Sequence, residues 1–413
     1  MEWWKRIGPS WRLAGFILAL LLLSRFAVYG SGYLGMNLFP NYTKEPEYVT
    51  MVQGGETVRQ LKLPHLLSET KVPSTDTTWK FDTNFYTKIA TEGYDKYRMD
   101  EKHSAANWVF FPLYPLLLYL ARKVVSWLNP LEMGVLLSNL YLFGALVYLY
   151  LICRERGMQK GPARMALFFL LLYPTSVYLS VPYTESLFLL LSCGAVYHAL
   201  KGQYLLAFLL GGLSGATRIV GFINVFFVAG HVLVTKQFRW RHLLYAALSG
   251  VPLLSFFLYM KKLTGDFLAP IHEQSVNWFR GTTVPFGSYV NWLREPYLIG
   301  SGGWDNGLIE FAVATVVFAA FAGYAVMQGK RMWRDLGEGL FFLYGVLLIA
   351  VPFSSGESMT SIPRYLMSCV PLYVYLAAIG QRFELVRMGT VLFFVMLNVF
   401  FTVGYFNDYF FVV

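Results

Sequence analysis

The chain has 413 residues, of which 56% are hydrophobic and only 14% carry a charge. An ordinary soluble domain is about a quarter charged, so this chain cannot hide its apolar surface in one water-soluble core. Its net charge of +10 comes from basic residues in short connectors between apolar runs, which sets orientation in a membrane and argues against nucleic-acid binding.

Apolar runs suited to crossing a bilayer, which takes about 20 residues, recur along the chain. The first, residues 13–30, follows Lys5, Arg6 and Arg12; these flanks also suit a cleaved signal sequence, but the many later runs favour a retained anchor. We predict an all-α polytopic membrane protein, one domain over residues 1–413, with about 11 transmembrane helices. The predicted spans are 13–34, 133–153, 164–181, 184–200, 203–217, 219–235, 242–260, 306–328, 338–353, 362–380 and 387–406.

Residues 107–128, NWVFFPLYPLLLYLARKVVSWL, decide the orientation of every later span. If this segment does not cross, the basic connectors after it fall on the same side as the basic N-terminus, as the positive-inside rule requires. We therefore predict a re-entrant or interfacial helix at 107–128 and a cytoplasmic N-terminus. Residues 35–106 and 261–305 then form a first and a second extracytoplasmic loop.

The first of these loops contains TWKFDTNFY, residues 78–86, where Asp82 lies among the aromatic rings of Trp79, Phe81 and Tyr86. A carboxylate in this setting is either an ordinary loop residue or a general base. The rings are suited to stacking on the apolar face of a sugar, and equally to anchoring the loop at the membrane interface.

Three further stretches reach the same predicted face. YPTSVYLSVPYTESLF, residues 173–188, places Glu185 at a helix start, as a capping charge or a functional carboxylate at a membrane boundary. Arg218 in GATRIVG interrupts an apolar region, either as a snorkelling side chain or as a phosphate ligand. SSGESMTSIPRY, residues 354–365, adds Glu357 and a second candidate phosphate ligand, Arg364.

Other chemistries find little support in the sequence. The cysteines, Cys153, Cys193 and Cys369, lie in or beside apolar spans without CxxC spacing, and there is no HExxH, P-loop or GxSxG motif. The histidines are scattered, which disfavours an acyltransferase. A transporter or lipid flippase is the main alternative, although no internal repeat of the kind common in transporters is visible.

The ordered pieces FDTNFYTKIATEGY, FFPLYPLL, YPTSVYLSVPYTESLF, GATRIVG and SMTSIPRY, spread over residues 81–365, together resemble the PIG-V family of integral-membrane mannosyltransferases. The resemblance implies a GT-C-type membrane bundle with a catalytic acid in its first outer loop and a polyprenyl-phosphate sugar as donor. It matches Asp82 to that acid and Glu185, Arg218 and Arg364 to motif positions. Phe81 stands where many bacterial members carry Trp, and the DxD of some lipid-donor glycosyltransferases is missing, so no cofactor is predicted and metal dependence stays open.

These observations predict a glycosyltransferase of the mannosyltransferase type. It would move a hexose, with mannose favoured, from a polyprenyl-phosphate donor to a hydroxyl of a lipid-linked or cell-surface glycan acceptor. Asp82 would act as the base, Arg218 and Arg364 would bind the donor phosphate, and Glu185, Trp79, Phe81, Tyr86 and Glu357 would bind substrate or support the site. The family's bacterial branch favours a bacterial plasma membrane with an outward-facing site, with the endoplasmic reticulum membrane as the alternative.

Overall fold

The protein's architecture comes from a computed structural model that describes residues 11–41, 48–53, 56–62, 70–278, 280–295, 307–356 and 358–409. Helices dominate it, joined by four short 3₁₀ turns at Asp76–Thr78, Asn107–Val109, Ser176–Leu179 and Ile219–Gly221. The helices of the first half are α1 (Trp11–Leu38), α2 (Asp82–Glu92), α3 (Leu113–Val124), α4 (Pro130–Glu155), α5 (Lys160–Leu172), α6 (Glu185–Leu200), α7 (Tyr204–Gly215) and α8 (Phe222–Val234). Those of the second half are α9 (Arg241–Thr264), α10 (Ala269–Val276), α11 (Gly287–Arg294), α12 (Leu308–Gln328), α13 (Lys330–Arg334), α14 (Leu336–Phe353), α15 (Ile362–Leu366), α16 (Val370–Arg382) and α17 (Glu384–Phe406).

The predicted helical membrane fold is confirmed. Six helices of the described chain are long and apolar enough to cross a membrane, namely α1, α4, α9, α12, α14 and α17. Helices α6, α7 and α8 are apolar but shorter. The number of crossings remains a prediction, since helix length alone does not assign the shorter helices to the bilayer.

Two predicted spans are broken, and a proline accounts for each break. The span at 164–181 ends as a helix at Leu172, because Pro174 disfavours helical backbone at Tyr173, which has φ −54° and ψ 142°. The span at 362–380 divides into α15 and α16, and Pro371 lies in the first turn of α16, where its missing N–H is not needed. Both breaks leave non-helical backbone next to stretches that were predicted to be functional.

The region after α1 is more structured than a plain loop. Strands β1 (Tyr48–Gln53) and β2 (Glu56–Leu61) form an antiparallel hairpin that the sequence analysis did not predict. Within residues 107–128 the structure has the 12-residue helix α3, about 18 Å long and therefore short of the roughly 30 Å of a hydrocarbon core. Its position at the membrane interface remains a prediction.

Close helix packing holds the centre of the bundle. Helix α4 packs along α6, and α7 packs against both α6 and α9. A Cβ atom on Gly212 of α7 would lie 2.1 Å from the Ser249 carbonyl oxygen of α9, so only glycine permits this approach.

Candidate functional site

A pocket of about 390 Å³ opens where the first turns of α2 and α6, the turn between α7 and α8, and α15 meet. Five residues predicted for the site line it: Asp82, Tyr86, Glu185, Arg218 and Arg364. The structure therefore brings together side chains from four separate motifs.

Asp82 is the first residue of α2, and its placement depends on an unusual backbone. Phe81, which precedes it, has φ 50° and ψ −133°, a conformation that costs a non-glycine residue roughly 1–3 kcal/mol. The Asp82 N–H donates to the Tyr183 hydroxyl (3.1 Å), which ties the start of α2 to the segment ahead of α6. A carboxylate at this position is also favoured by the helix dipole.

Glu185 occupies the equivalent place at the start of α6, and only 1% of its side chain is exposed. Its Oε1 lies 3.2 Å from Arg218 Nη1 and 3.5 Å from Arg364 Nε. The structure thus places Glu185 between the two arginines that were predicted to bind phosphate. Because a single carboxylate oxygen contacts both guanidinium groups, Glu185 does more than cap a helix.

Arg364 completes the network by donating from Nη1 to Asp82 Oδ2 at 2.7 Å, across 282 positions of sequence. Its helix, α15, begins after Ser361, whose φ of 64° is left-handed. Asp82, Arg364, Glu185 and Arg218 therefore form one continuous chain of ion pairs. Charges this deeply buried require such partners, because desolvation otherwise outweighs their attraction.

Arg218 is presented by a tight turn rather than by a helix. Its N–H donates to the Ser214 carbonyl, and its carbonyl accepts from the Gly221 N–H (2.8 Å). A Cβ atom on Gly221 would lie 2.2 Å from the Ser214 carbonyl carbon, so the turn closes only with glycine there. The GATRIVG motif therefore forms the tight turn that places the guanidinium of Arg218 in the pocket lining.

Tyr86 lines the pocket on the next turn of α2, with its hydroxyl 3.4 Å from that of Thr184. Burial first, and then the charges of Asp82 and Glu185, raise the pKa of the Tyr86 phenol. The hydroxyl therefore keeps its proton at neutral pH and can donate a hydrogen bond.

Two of the remaining predicted residues, Trp79 and Phe81, are not among the residues that line the pocket. Trp79 is 64% exposed and is absent from the pocket lining, and Phe81 packs instead near Tyr405, with ring centroids 6.0 Å apart. Glu357 lies outside the described residues. A substrate-binding or supporting role for these three residues stays a prediction.

Two side chains in the pocket wall were missed by the sequence analysis as site residues, Arg280 and Tyr365. Arg280 was visible only as one of several polar residues of the second outer loop. Tyr365 follows Arg364 in the SMTSIPRY motif, but an aromatic residue among so many carries no signal of its own. Sequence spacing does not reveal that Arg280 comes within reach of α15.

The pocket has apolar as well as charged lining residues. Ile219, Val220, Val351 and Pro352 contribute aliphatic surface beside the charged network. Ile219 is 37% exposed on the outside of the molecule. Such a lining suits a ligand that joins an anionic head to a hydrocarbon chain.

Solved structures resemble the chain over nearly all its length. ArnT from Cupriavidus metallidurans, bound to undecaprenyl phosphate, matches at 12% identity over 95% of this chain and 77% of its own, with a TM-score of 0.50. The archaeal oligosaccharyltransferase AglB from Archaeoglobus fulgidus, in complex with an inhibitory peptide and a dolichol-phosphate, matches at 11% identity with a TM-score of 0.47. That match covers 97% of this chain and 56% of AglB, so the chain spans little more than half of the archaeal protein. No curated protein matches the chain.

The apolar helices indicate an integral-membrane protein, and the likeness to ArnT confirms the predicted GT-C-type bundle as a fold. Residues 57–247, just under half of the chain, match the family Mannosyltransferase (PIG-V), in agreement with the resemblance predicted from the motifs. Four of the five motifs lie in this range, and SMTSIPRY, with Arg364, lies beyond it.

Proposed function

We propose that the protein transfers a hexose from a polyprenyl-phosphate donor to a hydroxyl group of a lipid-linked or cell-surface acceptor. The observation that carries this proposal is the chain of ion pairs Asp82, Arg364, Glu185 and Arg218 in a pocket that also has apolar lining residues. It supplies a carboxylate for proton transfer and cations for a phosphate within one site. The family match and the undecaprenyl phosphate in the ArnT structure support the same class of donor.

In the proposed step Asp82 takes the proton of the acceptor hydroxyl as the oxygen attacks the anomeric carbon. The bond from that carbon to the phosphate oxygen breaks, and its electron pair leaves with the polyprenyl phosphate. Arginines stabilise the charge that develops on the leaving phosphate. Arg364 holds one oxygen of Asp82, which leaves the other oxygen to receive the proton.

Single displacement by this route inverts the anomeric carbon, so a β-linked donor would give an α-linked product. Mannose is the hexose that the family match favours. The site would face away from the cytoplasm, where the topology predicted from basic connectors places the starts of α2 and α6.

The proposal is tested with purified protein in lipid vesicles, radiolabelled polyprenyl-phosphate mannose and a glycolipid extract of the source membrane. Wild-type protein is expected to move the label to a new, less apolar product. If the intact donor instead crosses the bilayer without transfer of sugar, the protein is a flippase and the proposal fails.

A further inference from the structure

The charges of the pocket do not balance within the described residues. The guanidinium groups of Arg218, Arg280 and Arg364 face the two carboxylates of Asp82 and Glu185. The three arginines and two carboxylates that line the pocket therefore leave one positive charge without a counterion among the described residues. A partly buried site of this kind attracts one anionic ligand group.

The unneutralised cation is Arg280. Arg218 is paired with Glu185, and Arg364 is paired with both carboxylates. Arg280 instead donates from Nη2 to the Thr360 carbonyl oxygen at 2.9 Å, and no carboxylate of the described chain pairs with it. Its remaining N–H groups are free to meet the oxygens of a ligand, and a guanidinium offers five such donors.

A short stretch of paired backbone brings Arg280 to the pocket. Thr282 and Ser355 form an isolated antiparallel bridge, and the Thr283 N–H donates to the Ser354 carbonyl (2.8 Å). On the other side of this bridge, the Gly356 N–H donates to the Gly281 carbonyl (2.7 Å). The second predicted outer loop is thus attached to the segment that leads into α15, and Arg280 lies immediately before the paired residues.

The ring of Tyr365 lies among the three cations. Its centroid is 4.8 Å from the guanidinium carbon of Arg218, 5.3 Å from that of Arg280 and 5.4 Å from that of Arg364. An aromatic face attracts each cation without neutralising it. One ring can therefore hold like charges close together and still leave them available to an anion.

We propose that Arg280 is the principal ligand of the donor's phosphate group, and that Tyr365 is the positioning residue that keeps the arginines together. This assignment rests on the proposed function. Arg218 and Arg364, which already hold carboxylates, would then be secondary to Arg280 in binding the phosphate, and Arg364 would also orient Asp82. The second outer loop becomes part of the donor site.

The test measures equilibrium binding of polyprenyl phosphate, of the uncharged polyprenol with the same chain, and of inorganic phosphate to the full chain in nanodiscs. Arg280→Gln is expected to weaken polyprenyl-phosphate binding about 10- to 100-fold, as for loss of a charge-assisted hydrogen bond, and to leave polyprenol binding unchanged. Arg294→Gln, an exposed arginine of the same loop on α11, is the matched control and should bind both ligands as wild type does.

Equal affinity of wild type and Arg280→Gln for polyprenyl phosphate would overturn the assignment. An equal loss of both lipids in Arg280→Gln would also overturn it, because the residue would then be needed for folding. Inorganic phosphate that displaces the lipid at matching concentration would show a free-anion site instead of a lipid-phosphate site. If wild type transfers no sugar but the three ligands behave as expected, the proposed function fails while the phosphate ligand stands.

Two variants test the positioning role of the ring. Tyr365→Phe keeps the aromatic face and is expected to bind polyprenyl phosphate as wild type does. Tyr365→Leu removes the face and should weaken that binding about 3- to 30-fold while polyprenol binding is retained. Equal affinities in the two variants would remove Tyr365 from the proposal.

Discussion

Glu185 holds two guanidinium groups with one carboxylate oxygen, and its other oxygen, Oε2, is buried with no hydrogen-bond partner among the described residues. Glu185→Gln keeps the shape and removes the charge, so two buried arginines lose a counterion. We expect a loss of about 3–5 kcal/mol in the free energy of unfolding, measured by thermal and denaturant unfolding in detergent.

The matched control for this variant is Glu155→Gln. Glu155 pairs with Lys201 at 3.2 Å, but the two side chains are 35% and 39% exposed. A pair screened by water to this extent contributes about 0–1 kcal/mol. Equal destabilisation in the two variants would contradict the role of Glu185 as the buried counterion.

The sequence predicts which charged residues stand in unusual surroundings, but it does not predict which of them form ion pairs with one another. Asp82, Glu185, Arg218 and Arg364 stand out because carboxylates and arginines are costly in apolar surroundings. Their connection through one oxygen of Glu185 depends on helix starts that come from distant parts of the chain. Arg280 has no such signal, since an arginine in a polar loop is ordinary, and only the backbone pairing at Thr282 brings it to the pocket.

The turn between α7 and α8 leaves no room for an added methyl group at Gly221. In Gly221→Ala the new Cβ would meet the Ser214 backbone at 2.2 Å, so the turn must open and carry Arg218 away. We expect sugar transfer to fall at least tenfold in a vesicle assay. Gly250→Ala in α9, where an added Cβ meets nothing within 4 Å, should transfer at the wild-type rate. A wild-type rate in Gly221→Ala would show that the turn tolerates the change.

A buried contact between His103 and Glu273 joins the two predicted outer loops. His103 Nε2 lies 3.0 Å from Glu273 Oε2 on α10, with the side chains 5% and 0% exposed. The hydrogen bond to Glu273 raises the pKa of His103 above 6.5, against the opposing effect of burial and with support from Glu101. This contact therefore stabilises the folded protein fully below about pH 6.5, and its contribution is lost as pH rises through the folded-state pKa of His103.

The measurement is the melting temperature of the full chain in detergent between pH 5 and pH 9. Wild type should lose stability across the upper part of this range, and His103→Gln should lose that part of the pH dependence. Identical profiles for the two proteins would show that the pair contributes nothing to the stability of the outer loops.

The long helices are well predicted from the sequence, but the ends of the shorter helices and the β-hairpin are not. Long apolar helices such as α4 and α9 are evident from hydropathy, whereas the ends of shorter helices depend on local chemistry. Pro174 and Pro371 mark the breaks in two predicted spans, and a stricter use of proline would have found them. The hairpin of β1 and β2 was not predicted, although its two Val- and Thr-containing runs are separated by Gly-Gly, a hairpin signal that the prediction did not use.

For the whole molecule, the predicted orientation is testable without knowledge of the substrate. Ser104 lies in the predicted first outer loop and Gln237 in a connector between α8 and α9, and both are exposed. In intact cells a membrane-impermeant maleimide should label Ser104→Cys, and it should label Gln237→Cys only after permeabilisation. The native cysteines, Cys153, Cys193 and Cys369, are buried and give a low background. The opposite labelling pattern would place the pocket on the cytoplasmic side.

The pocket includes residues from both inside and outside the segment that matches the family. The family match ends at residue 247, yet Arg280, Arg364 and Tyr365 come from beyond it. The matched segment contributes Asp82, Glu185 and Arg218. The later segment therefore supplies two of the three arginines of the pocket, Arg280 and Arg364.

The central claim, that Asp82 is the base for sugar transfer, is tested most directly by comparing transfer and binding in Asp82→Asn. The amide cannot accept the acceptor's proton, so transfer from radiolabelled polyprenyl-phosphate mannose should fall about 10²- to 10⁴-fold. Affinity for polyprenyl phosphate should stay within about threefold of wild type, because Arg280 and not Asp82 meets the phosphate. An Asp82→Asn protein that binds the lipid normally and transfers sugar at the wild-type rate would contradict the account.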